Sequence, residues 1–336
     1  MNAHRARKRQ GRSRAFGALL ALALLAAPLA AEGQPAVPKT ARIGYVSIRS
    51  GPADFEEAFR QRLHELGYVE GQNISIEYRW ADLKPDRIPA LAEELVRLKV
   101  DVIVSSGGAV TALAVKKAVR AIPVVFISGD PVRAGLVASL ARPGGNLTGV
   151  STFSRELNSK RLELLKEAMP GISRVAVLAN LAGPFTGANL KELEGAARAL
   201  GVKLQVLGVR DPQEIDEAFS AMTRERAGAL LVLSDAMFLP QRERIVGLAA
   251  KIRLPAMFEW REFAEAGGLL SYDTSLGDLY RQLATYVDKI LKGARAADLP
   301  VERPTRFELV INAKTAKALG LTIPPSLLLR ADHVIQ

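Results

Sequence analysis

Arg42-Ile-Gly-Tyr-Val46 returns about 130 residues later as Arg174-Val-Ala-Val-Leu178. Glu65-Leu-Gly-Tyr-Val69 likewise returns as Ala199-Leu-Gly-Val-Lys203. Ile103-Val-Ser105, a helical stretch and Ile122-Pro-Val-Val125 correspond to Leu231-Val-Leu-Ser234, a helical stretch and Leu254-Pro-Ala-Met257. A fixed order of such pairs is the mark of one structural unit written twice. Within the first unit, Ile43 to Ser47 reads as a strand, and Phe55, Phe59, Leu63 and Leu66 share one helical face that Gly67 closes. Ile74 to Tyr78 is the next strand, followed by a helix from about Pro85 to Leu98. Val100 to Val104 and Val124 to Ile127 are continuous apolar runs, as in parallel strands covered by helices on both faces. The predicted fold is therefore α/β, with two similar lobes, each a parallel sheet flanked by helices.

The joint falls near residue 150. Leu276 to Leu291 forms a long amphipathic helix and Phe307 to Leu319 a further strand and helix that neither lobe owns outright. The chain is thus expected to cross more than once, giving a hinge of several strands. The expected division is residues 41–152 plus 275–303 for lobe 1, and 153–274 plus 304–330 for lobe 2.

Ahead of these units lies a segment of a different kind. Arg5, Arg7, Lys8, Arg9, Arg12 and Arg14 precede an apolar run from Ala15 to Ala27, and Ala31-Glu32-Gly33 offers a small-x-small site before Gln34. This is the layout of a secretory signal peptide over residues 1–33. Pro28 ends the run short of the roughly 20 residues that a spanning helix needs. Removing the six bases and one acid of this leader lowers the net charge from +11 to +6, and the remaining bases are scattered over helix faces. No nucleic-acid partner is expected. The chain has no cysteine, so neither disulfides nor an N-terminal lipid anchor are available, and a freely diffusing periplasmic monomer is the expected form.

In open parallel sheets, ligands bind beyond the carboxyl ends of the strands. Those ends carry Ser47, Ser105, Ser106, Gly107, Gly108, Ala109, Asp130, Asn180, Ser234, Asp235, Glu259 and Tyr272. Glycine-flanked N–H groups at a helix start suit a carboxylate, and an opposing acid suits an ammonium. The expected arrangement sets the 105–109 loop at the ligand's anionic end and Asp235 at its ammonium, with Asp130 assisting or bracing its loop. Tyr45, Phe258, Trp260 and above all Tyr272 are candidate rings to stack on it. Serine and glycine after a strand also serve as ordinary caps and turns, so the weight lies on the set.

The run Asp130-Pro-Val-Arg-Ala-Gly-Leu-Val-Ala-Ser-Leu-Ala-Arg-Pro-Gly-Gly-Asn-Leu-Thr-Gly149 resembles the ABC-transporter substrate-binding family that includes tryptophan and tyrosine binders. So do Tyr286-Val-Asp-Lys-Ile-Leu-Lys-Gly293, Asp298-Leu-Pro-Val-Glu302, Phe307-Glu-Leu-Val-Ile-Asn312 and Ala318-Leu-Gly-Leu-Thr-Ile-Pro324. The resemblance implies a type I periplasmic-binding-protein fold whose lobes close around a small solute, an amino acid or similar, and deliver it to a membrane permease. The chain departs from the family at Ala109-Val110, where Thr-Pro is common; Ser105, Ser106 or Thr111 is expected to supply the hydroxyl.

No catalytic chemistry emerges from the residues. His4, His64 and His333 are too dispersed for a metal site, and no nucleophile elbow, phosphate loop or dinucleotide fingerprint follows a strand. No cofactor is expected. The competing readings are an enzyme using Asp130, Asp235 or Glu259 as acid or base in the same cleft, a ligand sensor outside transport, and a repressor. A repressor of this fold carries a polar helix-turn-helix where this chain carries an apolar leader.

Overall fold

The computed structural model describes residues 40–152 and 154–336; the leader assigned to 1–33 lies outside the described residues. In the first half, β1 (Ala41–Ser47), α1 (Asp54–Glu65), β2 (Ile74–Trp80), α2 (Ile88–Arg97), β3 (Val102–Ser106), α3 (Gly108–Ala118), β4 (Val124–Ser128) and β5 (Leu147–Ser151) follow in turn. The strands align as β2-β1-β3-β4-β5, every pair parallel. The second half repeats this with α4 (Ser154–Ala168), β6 (Arg174–Asn180), α5 (Thr186–Ala199), β7 (Lys203–Val209), α6 (Ile215–Arg224), β8 (Ala229–Val232), α7 (Arg242–Lys251), β9 (Ala256–Phe258), α8 (Arg261–Glu265) and β10 (Leu270–Asp273). Then come α9 (Leu276–Leu291), β11 (Glu308–Asn312), α10 (Ala313–Leu319), α11 (Pro325–Leu328) and β12 (His333–Ile335).

The second sheet runs β12-β11-β10-β9-β8-β6-β7. Its one departure from parallel pairing among the described residues is β10 against β11, and the path of the chain explains it. After β10 the chain leaves the second sheet, and α9 packs along α1 and reaches β3, β4 and β5 of the first. Residues 299–302 stay there: Thr148 donates to the Leu299 carbonyl at 2.7 Å, and Ser151 N–H to that of Glu302 at 2.8 Å. The chain then re-enters beside β10 running the opposite way. It thus passes from sheet to sheet between β5 and α4, at 274–275 and at 303–307.

Three apolar clusters hold these layers. One gathers Tyr45, Phe59 and Val104 of the first half, Leu279 and Leu283 of α9, and Leu178, Phe219 and Phe258 of the second. The others cover the far face of each sheet, around Phe126 and Val115 in one and Val177 and Leu231 in the other. Burial on both faces is why β3, β4, β5 and β8 read as uninterrupted apolar or small residues.

Two of the boundary differences from the sequence reading have a local cause. The stretch from Pro85 opens as a 3₁₀ turn to Arg87, and α2 begins at Ile88 with Pro89 in its first turn, where a missing N–H costs nothing. Val100 and Asp101 belong to the approach to β3, because Lys99 takes a left-handed φ of 54° to end α2 and the Asp101 carboxylate accepts Arg42 N–H at 2.8 Å.

Candidate functional site

Because β1 to β5 run parallel in one sheet and β6 to β10 in the other, their carboxyl ends collect on one edge of each. Those of β1, β3 and β4 meet those of β6, β8 and β9 across a cleft of 640 Å³. On the lobe 1 wall, α3 begins at Gly107 with no side chain capping it, and Gly108, Ala109 and Val110 of its first turn line the cavity. The unsatisfied N–H groups of that turn make this corner a partial positive charge. Beside it, the Ser106 hydroxyl is hydrogen-bonded to that of Tyr280. The Tyr280 ring lies 4.5 Å from Phe55, and the Arg49 guanidinium stands 4.5 Å above Phe55. Arg49 pairs with Glu56, which also accepts from Tyr45 Oη at 2.6 Å and Ala53 N–H at 2.7 Å. Burial pushes the Tyr280 hydroxyl up to about 12, so it stays neutral.

The lobe 2 wall is acidic. Asp235, just past β8, accepts Asn180 Nδ2 at 3.0 Å and Met237 N–H at 2.9 Å, both through Oδ1, and burial raises its pKa above the usual carboxylate value. Glu259, just past β9, is only 5% exposed, and burial first, then the Asp273 and Asp235 charges, push it well above its ordinary value. Behind this wall α4 buries the whole of Arg161. Its Nε donates to the Tyr272 carbonyl at 2.7 Å, and its Nη1 to Asn158 Oδ1 at 2.9 Å and Ser234 Oγ at 3.1 Å. Its Nη2 is paired with the Asp273 carboxylate. Even against that guanidinium, burial pushes Asp273 up to about 6, so desolvation outweighs the ion pair.

Of the strand-end candidates, the structure brings Ser106, Gly107, Gly108, Ala109, Asp130, Asn180, Ser234, Asp235 and Glu259 together around this cleft. It does not bring Ser47, Ser105 or Tyr272. Ser47 is fully buried and its hydroxyl accepts Arg49 N–H at 3.3 Å. Ser105 precedes Ser106 on β3, so the period of two that turns Ser106 to the cleft sends Ser105 to the other side, where it is fully buried. The same alternation removes Tyr272 from the cleft: its ring lies 6.1 Å from Phe307 against the lobe 2 cluster. Thr111, proposed as a hydroxyl donor, turns into its own helix and bonds the Gly107 carbonyl at 3.4 Å. Asp130 accepts Arg133 N–H at 3.1 Å and so braces its turn. Among the candidate rings, Tyr45 and Phe258 are core and Trp260 lines the cleft.

A family model described as ABC transporter substrate binding protein matches residues 46–335. The chain belongs to this family. A tyrosine-binding protein of Clostridioides difficile (strain R20291) is 26% identical over 267 residues, covering 79% of this chain and 76% of that protein. A conserved domain protein of Vibrio cholerae superposes with a TM-score of 0.81 at 30% identity, over 88% of this chain and all of the other. A Streptococcus pneumonia ABC domain in complex with L-Trp gives 0.80 at 26% identity, again over 88% and 100%. A ligand-free, open substrate-binding protein of Clostridium difficile gives 0.64 at 25% identity, over 88% and 99%. At nearly equal identity, this substrate-binding protein superposes better on the tryptophan complex than on the open form.

Sequence reasoning missed the lobe 1 aromatic wall and the buried cation. Phe55 and Tyr280 reach the cleft from α1 and α9, whose apolar stripes read simply as core. Their neighbours on those stripes, Phe59 and Leu283, are indeed fully buried.

Proposed function

We propose that this substrate-binding protein captures an aromatic amino acid as a zwitterion in the interlobe cleft and delivers it to an ABC permease. The observation that carries the reading is the polarity of the cleft: a free helix start on one wall, buried acids on the other, and aromatic rings beside both. The carboxylate suits the first-turn N–H groups of α3, the ammonium suits the wall of Asp235 and Glu259, and Phe55, Tyr280 and Trp260 are placed to flank a ring. The tyrosine and tryptophan recognition named for two relatives supports this chemistry. A melting screen of the twenty amino acids tests it. A ligand that binds only the folded state stabilises by about 2.7 kcal/mol at a hundredfold excess over Kd. L-tryptophan or L-tyrosine is expected to raise the melting temperature, with glycine and lysine inert. A flat response to every aromatic amino acid rejects the reading.

The protein works outside the cytoplasm as a monomer in this proposal, exported by the leader at residues 1–33. Among the described residues, no helix is long and apolar enough to cross a membrane. N-terminal sequencing of protein recovered from the periplasm is expected to start at or near Gln34; an intact Met1 on cytoplasmic protein overturns export.

A further inference from the structure

Among the described residues, the charges behind the lobe 2 wall do not balance. Three carboxyl groups there, Asp235, Glu259 and Asp273, gather around one buried cation, Arg161. Asp273 holds Arg161 and accepts Thr274 N–H at 2.6 Å. Asp235 accepts Asn180 Nδ2 and Met237 N–H. Glu259 has the Ser234 hydroxyl as its side-chain donor, and that hydroxyl oxygen already accepts from Arg161 Nη1 at 3.1 Å, which leaves its hydrogen for Glu259. Glu259 is thus the most buried and least solvated carboxyl on the cleft wall.

The other charged groups among the described residues of the cleft do not relieve it. Arg49 is paired with Glu56 and Asp82 with Arg87, Asp130 and Asp211 accept N–H groups of their own turns, and Lys84, Arg133 and Arg210 are exposed.

We infer that Glu259 is protonated in the empty cleft and is the group that receives the ligand's ammonium, so that each capture event releases one proton from Glu259 to solvent. The ammonium brings the second positive charge that the cluster lacks, and a cation placed beside Glu259 favours the ionised form of that carboxyl. The inference rests on the amino-acid reading above. It has a definite sign. Where the empty protein holds the proton and the complex does not, affinity rises with pH, by about tenfold per unit for one proton, and levels off above the titration of the empty protein.

Titration calorimetry with L-tryptophan and L-tyrosine over a series of pH values, in buffers of different ionisation enthalpy, counts the proton. The expected count approaches one released per ligand bound at the acid end of the series and falls away as the empty protein loses the proton. In Glu259→Gln the count falls to zero, affinity drops by roughly tenfold or more and its pH dependence disappears. Asp235→Asn is expected to weaken binding as well, yet each ligand still bound releases a proton. Binding with no proton release in the wild-type protein overturns this inference alone, as does a release that Asp235→Asn abolishes and Glu259→Gln spares. Absence of binding by every amino acid takes it down together with the amino-acid reading. An infrared difference spectrum keeps the two apart on a second axis, since loss of a protonated-carboxyl band on ligand addition must vanish in Glu259→Gln.

Discussion

Arg161→Met is expected to destabilise the protein by about 3–5 kcal/mol at neutral pH, the range for removing one partner of a buried ion pair. The side chain is fully buried and reaches the Tyr272 carbonyl, Asn158, Ser234 and Asp273, so methionine can replace its volume and none of its hydrogen bonds. The larger loss is electrostatic: Asp273 remains buried without its cation, and burial already raises it to about 6. That fixes the direction with pH. A carboxyl whose folded pKa lies above its unfolded value costs nothing in acid, where both states hold the proton, and costs progressively more as pH rises through the unfolded value. Removing Arg161 raises the folded Asp273 value further, so the deficit against wild type must be greater at pH 8 than at pH 4. Urea unfolding at the two pH values measures it, and a melting temperature lower by on the order of 10 °C is the expected neutral-pH counterpart. A deficit that does not depend on pH means that Arg161 acts through packing alone.

How far the site could be read in advance depended on where its residues sit in the chain. The ends of parallel strands are fixed by the strands themselves, and strands repeat. Asn180, Asp235 and Glu259 were therefore legible as companions of Ser106 and Asp130 before any coordinates, and they do share one cleft. Which way a strand-end side chain points depends on register to a single residue, and there the reading failed. Ser105 and Tyr272 sit one step out of phase with the cleft, while Ser106 faces it and Asp273 turns to Arg161 behind the wall. Arg161 had no local signal at all. In Asn158-Ser-Lys-Arg-Leu162 it stands among polar neighbours like any solvated helix residue, and its burial depends on Asp273, 112 residues further along. The cleft was visible because it belongs to the repeated unit. Its buried cation was hidden because ion pairing between distant segments leaves no period in the sequence.

Gly107→Ala is expected to cost both stability and affinity, for reasons that separate cleanly. Gly107 sits at φ +112°, a conformation that L side chains rarely adopt, and such strain costs about 1–3 kcal/mol. A Cβ there also falls 2.6 Å from Ile48 Cγ2 and 2.7 Å from Thr111 Oγ1, so something must move. Neither neighbour is idle: Ile48 is in the cleft wall, and Thr111 holds the Gly107 carbonyl at the first turn of α3. Relief by Ile48 pushes that side chain toward the ligand, and relief by Thr111 loosens the N–H groups proposed to hold the carboxylate. Either way the affinity for L-tryptophan should fall by at least roughly tenfold, equivalent to about 1.4 kcal/mol. Gly135→Ala is the control. It shares a positive φ, +67°, but a Cβ there meets nothing within 4 Å and the residue lies outside the cleft, so it should lose stability and keep its affinity. Calorimetry on the two variants decides the matter: wild-type affinity in Gly107→Ala would remove the start of α3 from the ligand site, whatever its melting temperature.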